Sequence, residues 1–199
     1  MSRIRSRPGK RVPMPMLRYD IFETAYGWIG VTASESGITR ITLPELTEAD
    51  AESELGQAIG DAKRDPSGFE KLRASLDRYF SGMPEDLTQI AIALDDTKFF
   101  TRARAACRTI PAGETRTYAW LAKAAGSPNA IRAAGQSMAR NPVPLLVPCH
   151  RVVASDGRLH GFGGGIGLPL KARLLRLEGH LKGCNSRCMR EEPVIRIRR

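Results

Sequence analysis

The sequence of 199 residues, 42% hydrophobic and 26% charged, has room for one medium domain or two small ones, each with its own core. No apolar run approaches the ~18 residues of a membrane-spanning helix. The opening Arg3, Arg5, Arg7, Lys10 and Arg11 lead into no apolar stretch, so neither an anchor nor a secretory signal is expected, and the protein is read as cytoplasmic, or nuclear in a eukaryote. The net charge of +10 divides into +5 for residues 1–11, −9 for 12–97, +10 for 98–181 and +4 for 182–199, which places any polyanionic partner on the second half.

Residues 1–16 read as a flexible basic arm. A domain over 17–97 opens with strands at Tyr19–Thr24, Trp28–Val31 and Ile38–Leu43, separated by turns near Tyr26-Gly27 and Glu35-Ser36-Gly37, which make a short antiparallel meander. Pro44 ends it. An acidic helix over Ala51–Ala62 and a second one carrying Phe69, Leu72, Leu76, Tyr79 and Phe80 follow at helical spacing, and a last strand is expected over Thr88–Leu94.

A second domain over 98–181 begins with a helix from Phe99 to Thr109 and the turn Ile110-Pro111-Ala112-Gly113. The next helix starts near Thr117 and ends at Gly126. Ser127-Pro128 then supplies an N-cap and first turn for a helix with Ile131, Ala134, Gly135 and Met138 on one face and Arg132, Gln136 and Arg140 on another. Two helices joined by a tight turn form a helix-turn-helix or a plain helical hairpin. The small residues Ala130, Ala133, Ala134 and Gly135 would let the second helix approach nucleic acid closely, with Arg132 reaching beside a displaced base.

The chain turns at Asn141-Pro142-Val143-Pro144, runs through the short apolar strand Leu145-Leu146-Val147, and reaches Pro148-Cys149-His150-Arg151. A glycine-rich loop follows Phe162, a closing helix over Leu170–Glu178 buries Leu174, Leu175 and Leu177, and residues 182–199 form a basic tail. Four cysteines without a secretory signal read as reduced thiols. An unassisted thiol is mostly protonated at neutral pH, so a nucleophilic Cys149 needs a base, for which His150 is the candidate, directly or through one water. Glu178 is the candidate acid to hold the imidazole. The alternative is an inert core cysteine, and Cys107 is read in that way.

With Thr97-Lys98-Phe99, Ile110-Pro111-Ala112-Gly113-Glu114, Thr117-Tyr118, Ala130-Ile131-Arg132-Ala133-Ala134-Gly135, Asn141-Pro142-Val143-Pro144, Pro148-Cys149-His150-Arg151-Val152-Val153, Gly161-Phe162, Leu174-Leu175 and Glu178-Gly179 in order, the chain resembles the O6-alkylguanine-DNA alkyltransferase family. The resemblance implies a ribonuclease-H-like α/β domain with a small antiparallel sheet, then a mostly α, winged helix-turn-helix domain. It implies irreversible transfer of an alkyl group from O6-alkylguanine, with O4-alkylthymine a further substrate, to Cys149 after the base is flipped out of double-stranded DNA through the minor groove.

On the same resemblance Arg132 fills the gap in the stack, and Ala130, Ala133, Ala134, Gly135, Thr117 and Tyr118 contact DNA. Tyr118 also hydrogen-bonds the flipped guanine, and Asn141 ties the recognition helix to the site. The backbone of Cys149 and Val152 reads the guanine edge, while Met138, Pro144, Phe162 and Gly163 shape the pocket. No metal or cofactor is required, and a monomer is expected. Two departures stand out: the loop after Phe162 is about two residues long for the family, and the tail carries Cys184 and Cys188, whose spacing with His180 suits zinc poorly. The competing reading is a helix-turn-helix or lesion-sensing protein without catalysis.

Overall fold

The computed structural model describes residues 16–157, 159 and 167–179. The basic arm, Phe162, Gly163 and the rest of the glycine-rich loop, and the cysteine-containing tail lie outside the described residues, apart from Met16 at the arm's end.

The meander forms as β1 (Arg18–Thr24), β2 (Gly27–Ser34) and β3 (Gly37–Ile41), paired antiparallel in sequence order. A two-residue strand, β4 (Lys63–Arg64), adds to the free edge of β1 in parallel, so the sheet reads β3-β2-β1-β4. Alternation along β1 sends Ile21 to one face and Phe22 to the other. Ile21 packs with Ala51 and Leu55 of helix α1 (Glu48–Leu55), and Phe22 joins the large core around α2 (Glu70–Phe80).

That large core does not stop at the sheet. It runs from Phe22, Ile29 and Val31 through Leu76, Tyr79 and Phe80 into Ala103, Cys107, Leu121, Ala134, Leu146, Cys149 and Leu174, so the sheet half and the helical half share one interior. A backbone bond from Ile41 N–H to the Pro142 carbonyl (2.9 Å) links the edge of β3 to the turn that precedes Cys149.

The helical half contains α3 (Lys98–Arg108), α4 (Tyr118–Ala124), α5 (Ile131–Ala139) and α6 (Gly167–Leu177), with β5 (Arg116–Thr117) pairing in parallel with β6 (Val152–Val153). Thr97 and Thr117 cap α3 and α4 by accepting from the N–H groups of Phe100 and Trp120, each the third residue of its helix. Arg104, buried on α3, bonds Asp96 and donates to the Arg140 carbonyl (2.7 Å), satisfying an end of α5 that has no acceptors' partner of its own.

Five expectations need correction. The acidic helix starts and ends earlier than Ala51–Ala62, because Thr47 caps it and Gly56 closes it with a left-handed φ. Residues 88–94 form no strand: Asp86 nucleates a turn over Leu87–Gln89, and only Ile92 bridges to Ile38. Ser127 does not cap α5. Its carbonyl closes a turn with Ala130 N–H, which delays the helix to Ile131. That shift leaves Ile131 exposed at 46% and turns Ala134, Ser137 and Met138 inward. The run Leu145–Val147 is a tight turn rather than a strand, bridged only between Pro144 and Val147, with Leu145 at φ +71°.

Gly113, in the turn after α3, sits at φ +80°, and a methyl group there would lie 2.8 Å from the Glu178 carbonyl. The Gly113→Ala variant is expected to lose about 1–3 kcal/mol of stability, measured as a lowered urea midpoint.

Candidate active site

Asn141 organises the turn that presents the thiol. Its side-chain carbonyl accepts from Val143 N–H (3.2 Å), and its amide donates to the Val147 carbonyl (2.9 Å) and to Cys149 Sγ (3.3 Å). One side chain thus closes an eight-residue excursion and touches the sulfur at its end. Bonds from Val147 N–H to the Val143 carbonyl and from Cys149 N–H to the Val147 carbonyl complete the turn. The left-handed Leu145 at its apex is a local strain that this bonding holds in place.

Beyond the sulfur, residues Cys149–Arg151 form one tight helical turn in which all three side chains are buried. His150 Nε2 lies 2.9 Å from Glu178 Oε1. Arg151 grips the same carboxylate with Nε on Oε2 (3.0 Å) and Nη2 on Oε1 (2.8 Å), and its third nitrogen donates to the Ile110 carbonyl (2.6 Å). Burial pushes Glu178 up, but the charges and hydrogen bonds of His150 and Arg151 outweigh it and hold the carboxyl well below its usual range. An ionised Glu178 requires Nε2 to be the imidazole's donor. Nδ1, buried and with no protein partner among the described residues, is then the acceptor.

Burial raises the Cys149 thiol above its ordinary value, against the pull of Asn141, Lys171 and the backbone N–H groups of Cys149 and His150. It also lowers the imidazole of His150. Both shifts favour the neutral thiol and the neutral imidazole, the latter held by the fixed carboxylate of Glu178.

The sulfur borders a cavity of about 750 Å³. Tyr118, Met138, Asn141 and Pro144 line it from the helical half, and β3 with the chain after it supplies the opposite wall through Arg40, Thr42 and Leu43. The parallel register of β5 with β6 brings the start of α4, and with it Tyr118, to the cavity. Burial and the nearby thiol push the Tyr118 phenol up to about 12, so it remains a donor at neutral pH. Arg132 is exposed on α5, next to partly exposed Ala133 and Gly135, while Ala134 is buried. A Cβ at Gly135 would meet nothing, so that face is open. Thr117 serves as the cap of α4. Val152 is fully buried and does not line the cavity; its carbonyl accepts from Lys171 Nζ (2.7 Å).

Sequence reasoning passed over Lys171. Its side chain is entirely buried, and burial lowers the ammonium to about 8, against the opposing pull of the nearby thiols. The signal was present, since 171, 174, 175 and 178 recur at helical spacing on the buried side of α6. Among the described residues no three His, Cys, Asp or Glu side chains are grouped to hold a metal ion, and no helix is long and apolar enough to cross a membrane.

Residues 98–180 match the family model described as 6-O-methylguanine DNA methyltransferase, DNA binding domain, and residues 17–94 match the model of the ribonuclease-like domain of the same enzymes. The chain is 34% identical over 165 residues to a methylated-DNA–protein-cysteine methyltransferase of Mycobacterium bovis, spanning 82% of this chain and 93% of the relative. The chain belongs to the methylated-DNA–protein-cysteine methyltransferase family. The same name is carried by a Mycobacterium leprae relative, 46% identical over 114 residues, 56% of this chain and 66% of that one. Among solved structures of this methyltransferase family, the Mycobacterium tuberculosis protein in complex with DNA superposes with a TM-score of 0.68 at 32% identity, covering 81% of this chain and 92% of that one.

Because the folded imidazole of His150 resists a proton that the unfolded one accepts near the ordinary value of about 6.5, stability should decline as pH falls through that value. Urea midpoints are expected to drop between about pH 7.5 and 5, and to drop less in His150→Asn.

Proposed function

We propose that this protein repairs DNA by direct reversal, with Cys149 as the final acceptor of the alkyl group. Membership of the methyltransferase family makes it a methylated-DNA–protein-cysteine methyltransferase that acts on DNA. The observation that carries the reading of the site is a single one: the Cys149 sulfur borders a cavity while a His150–Glu178 pair lies buried behind it. A helix-turn-helix protein that only binds DNA would leave this buried constellation without a use.

The proposed step starts with transfer of the Cys149 proton to His150 Nδ1, directly or through one water, as Glu178 stabilises the resulting imidazolium. The thiolate sulfur attacks the alkyl carbon on O6 of a flipped guanine. A carbon–sulfur bond forms as the carbon–O6 bond breaks, and the electron pair leaves with the purine. The Tyr118 phenol hydrogen-bonds the departing purine anion and stabilises its charge; the anion takes a proton from solvent on release, and His150 returns the thiol's proton to solvent. The thioether so formed is a stable carbon–sulfur bond, so each molecule would act once.

Duplex DNA would enter through the minor groove along α5. Ala130, Ala133 and Gly135 would allow close approach, with Ala134 packed beneath them, and Arg132 would fill the space of the extruded base. Met138 and Pro144 would bound the base laterally. The protein would work as a monomer in the compartment that holds the chromosome. Extrusion costs a few kcal/mol and least for a weakened pair, so damage is favoured before the pocket reads it.

Incubation with a duplex carrying one O6-methylguanine is expected to add one methyl in place of one hydrogen, mapped to the Cys149 peptide and absent in Cys149→Ser. An unchanged intact mass would refute the reading. The Arg132→Ala variant is expected to lose about 10-fold or more in duplex repair, the scale of one insertion contact, while its reaction with free O6-benzylguanine stays near wild type. Equal losses on both substrates would remove Arg132 from the stack.

A further inference from the structure

A side chain of the sheet half reaches the buried carboxylate of the acceptor site. Tyr79, near the end of α2 and 5% exposed, donates its hydroxyl to Glu178 Oε1 at 2.7 Å, across 99 positions of sequence. Its aim is fixed by packing. The ring meets Phe80 edge-on at 5.4 Å, Phe80 stacks on Tyr26 at 4.5 Å, and Arg173 of α6 lies 3.6 Å over the Tyr26 ring. We propose that Tyr79 is a positioning residue of the acceptor site, through which the sheet half sets how strongly Glu178 draws a proton onto His150.

The inference rests on the repair reading of Cys149 and extends it to the other half of the chain. Oε1 accepts from His150 Nε2, Arg151 Nη2 and Tyr79, and each donor takes a share of its negative charge. Arg151 holds both carboxylate oxygens, so the carboxylate keeps its place whether or not the phenol is there. What the phenol adds is a reduction of the charge that the imidazole feels. Burial and the neighbouring Glu178 push the phenol far above its ordinary range, so it donates at every working pH.

The groups that share this environment are few. Glu178 faces His150, Arg151 and Tyr79; Tyr79 also senses Tyr26 and Arg151; Asp86 reaches Arg151 electrostatically from the sheet half. His150 senses Arg151 and Lys171 besides Glu178, and Lys171 in turn senses both Cys149 and Cys107. Of the donors to the carboxylate, Arg151 is charged and His150 takes up a proton in the proposed step, whereas Tyr79 stays neutral throughout, so its removal changes the charge on Oε1 without changing the net charge of the site.

The test measures the rate of Cys149 benzylation by free O6-benzylguanine across about pH 5 to 9 in the full chain. In Tyr79→Phe, Glu178 holds an imidazolium more strongly, so His150 becomes a free base only at higher pH and the midpoint of the profile is expected to move up by about half a pH unit. In a Glu178→Gln background the same substitution should move it no further. A profile superimposable on wild type, a downward shift, or an equal upward shift in the Glu178→Gln background would each overturn the proposal.

If Tyr79→Phe does not fold, 3,5-difluorotyrosine at position 79 keeps the ring and strengthens the donor; a downward shift supports the proposal, and no shift or an upward one overturns it. Iodoacetamide, scored against Cys149→Ser, reads the same thiol without any repair chemistry. Failure of wild type to take the benzyl group would count against the repair reading, whereas an unshifted iodoacetamide profile in Tyr79→Phe would count against the role of Tyr79.

Discussion

The carboxylate of Glu178 is the point at which distant parts of the chain are made to agree. It sits at the end of α6 and takes donors from the turn after Cys149 and from α2 of the sheet half, while its own backbone carbonyl closes over Gly113. A charge buried to this degree is tolerated only when it is paired and fully hydrogen-bonded, since removal of one partner from such a cluster typically costs about 3–5 kcal/mol. Each donor therefore depends on the others for its position. The imidazole is oriented because Arg151 fixes the acid, and Arg151 is fixed in turn by the Ile110 carbonyl.

Around that anchor the site separates two requirements that oppose each other. A nucleophile that must meet an alkyl carbon away from water has to be buried, and burial raises the thiol. The structure answers with donors and positive charge rather than with exposure: the Asn141 amide contacts the sulfur, and Lys171 lies buried close enough to draw it down. On the proposed repair reading, keeping His150 neutral at rest leaves Nδ1 able to receive the proton when a base occupies the cavity.

The shared core explains how two halves of opposite charge form one working unit. The acidic half supplies a wall of the cavity through β3, a backbone bond to the Pro142 carbonyl and a donor to the triad through Tyr79. The basic half presents α5 and its exposed Arg132 outward. Segregation of charge in this way lets nucleic acid be attracted to one side while the acidic side is kept from competing for it.

The sequence by itself determined the order of elements, the meander and the long helices, and it singled out Cys149 as the candidate thiol, because alternation, helical spacing and the Pro-Cys-His-Arg block are local signals. It also named Glu178, since an imidazole needs an acid and few are present in the second half. Local signals failed where a distant partner competed with them. Ser127 became part of a turn, residues 88–94 were drawn to a single bridge with Ile38, and Ile131 was left exposed when its helix began late. Tyr79 read as one more core residue in a helical row, and Lys171 was passed over, because a polar group's partner is not encoded in its neighbours. Only the tertiary structure decided that the hydroxyl meets Glu178 and that the ammonium is buried near the thiols: Tyr79 on α2 finds its partner 99 positions away, and Lys171 on α6 finds the Val152 carbonyl and the thiols of Cys149 and Cys107, none of them a neighbour in the chain.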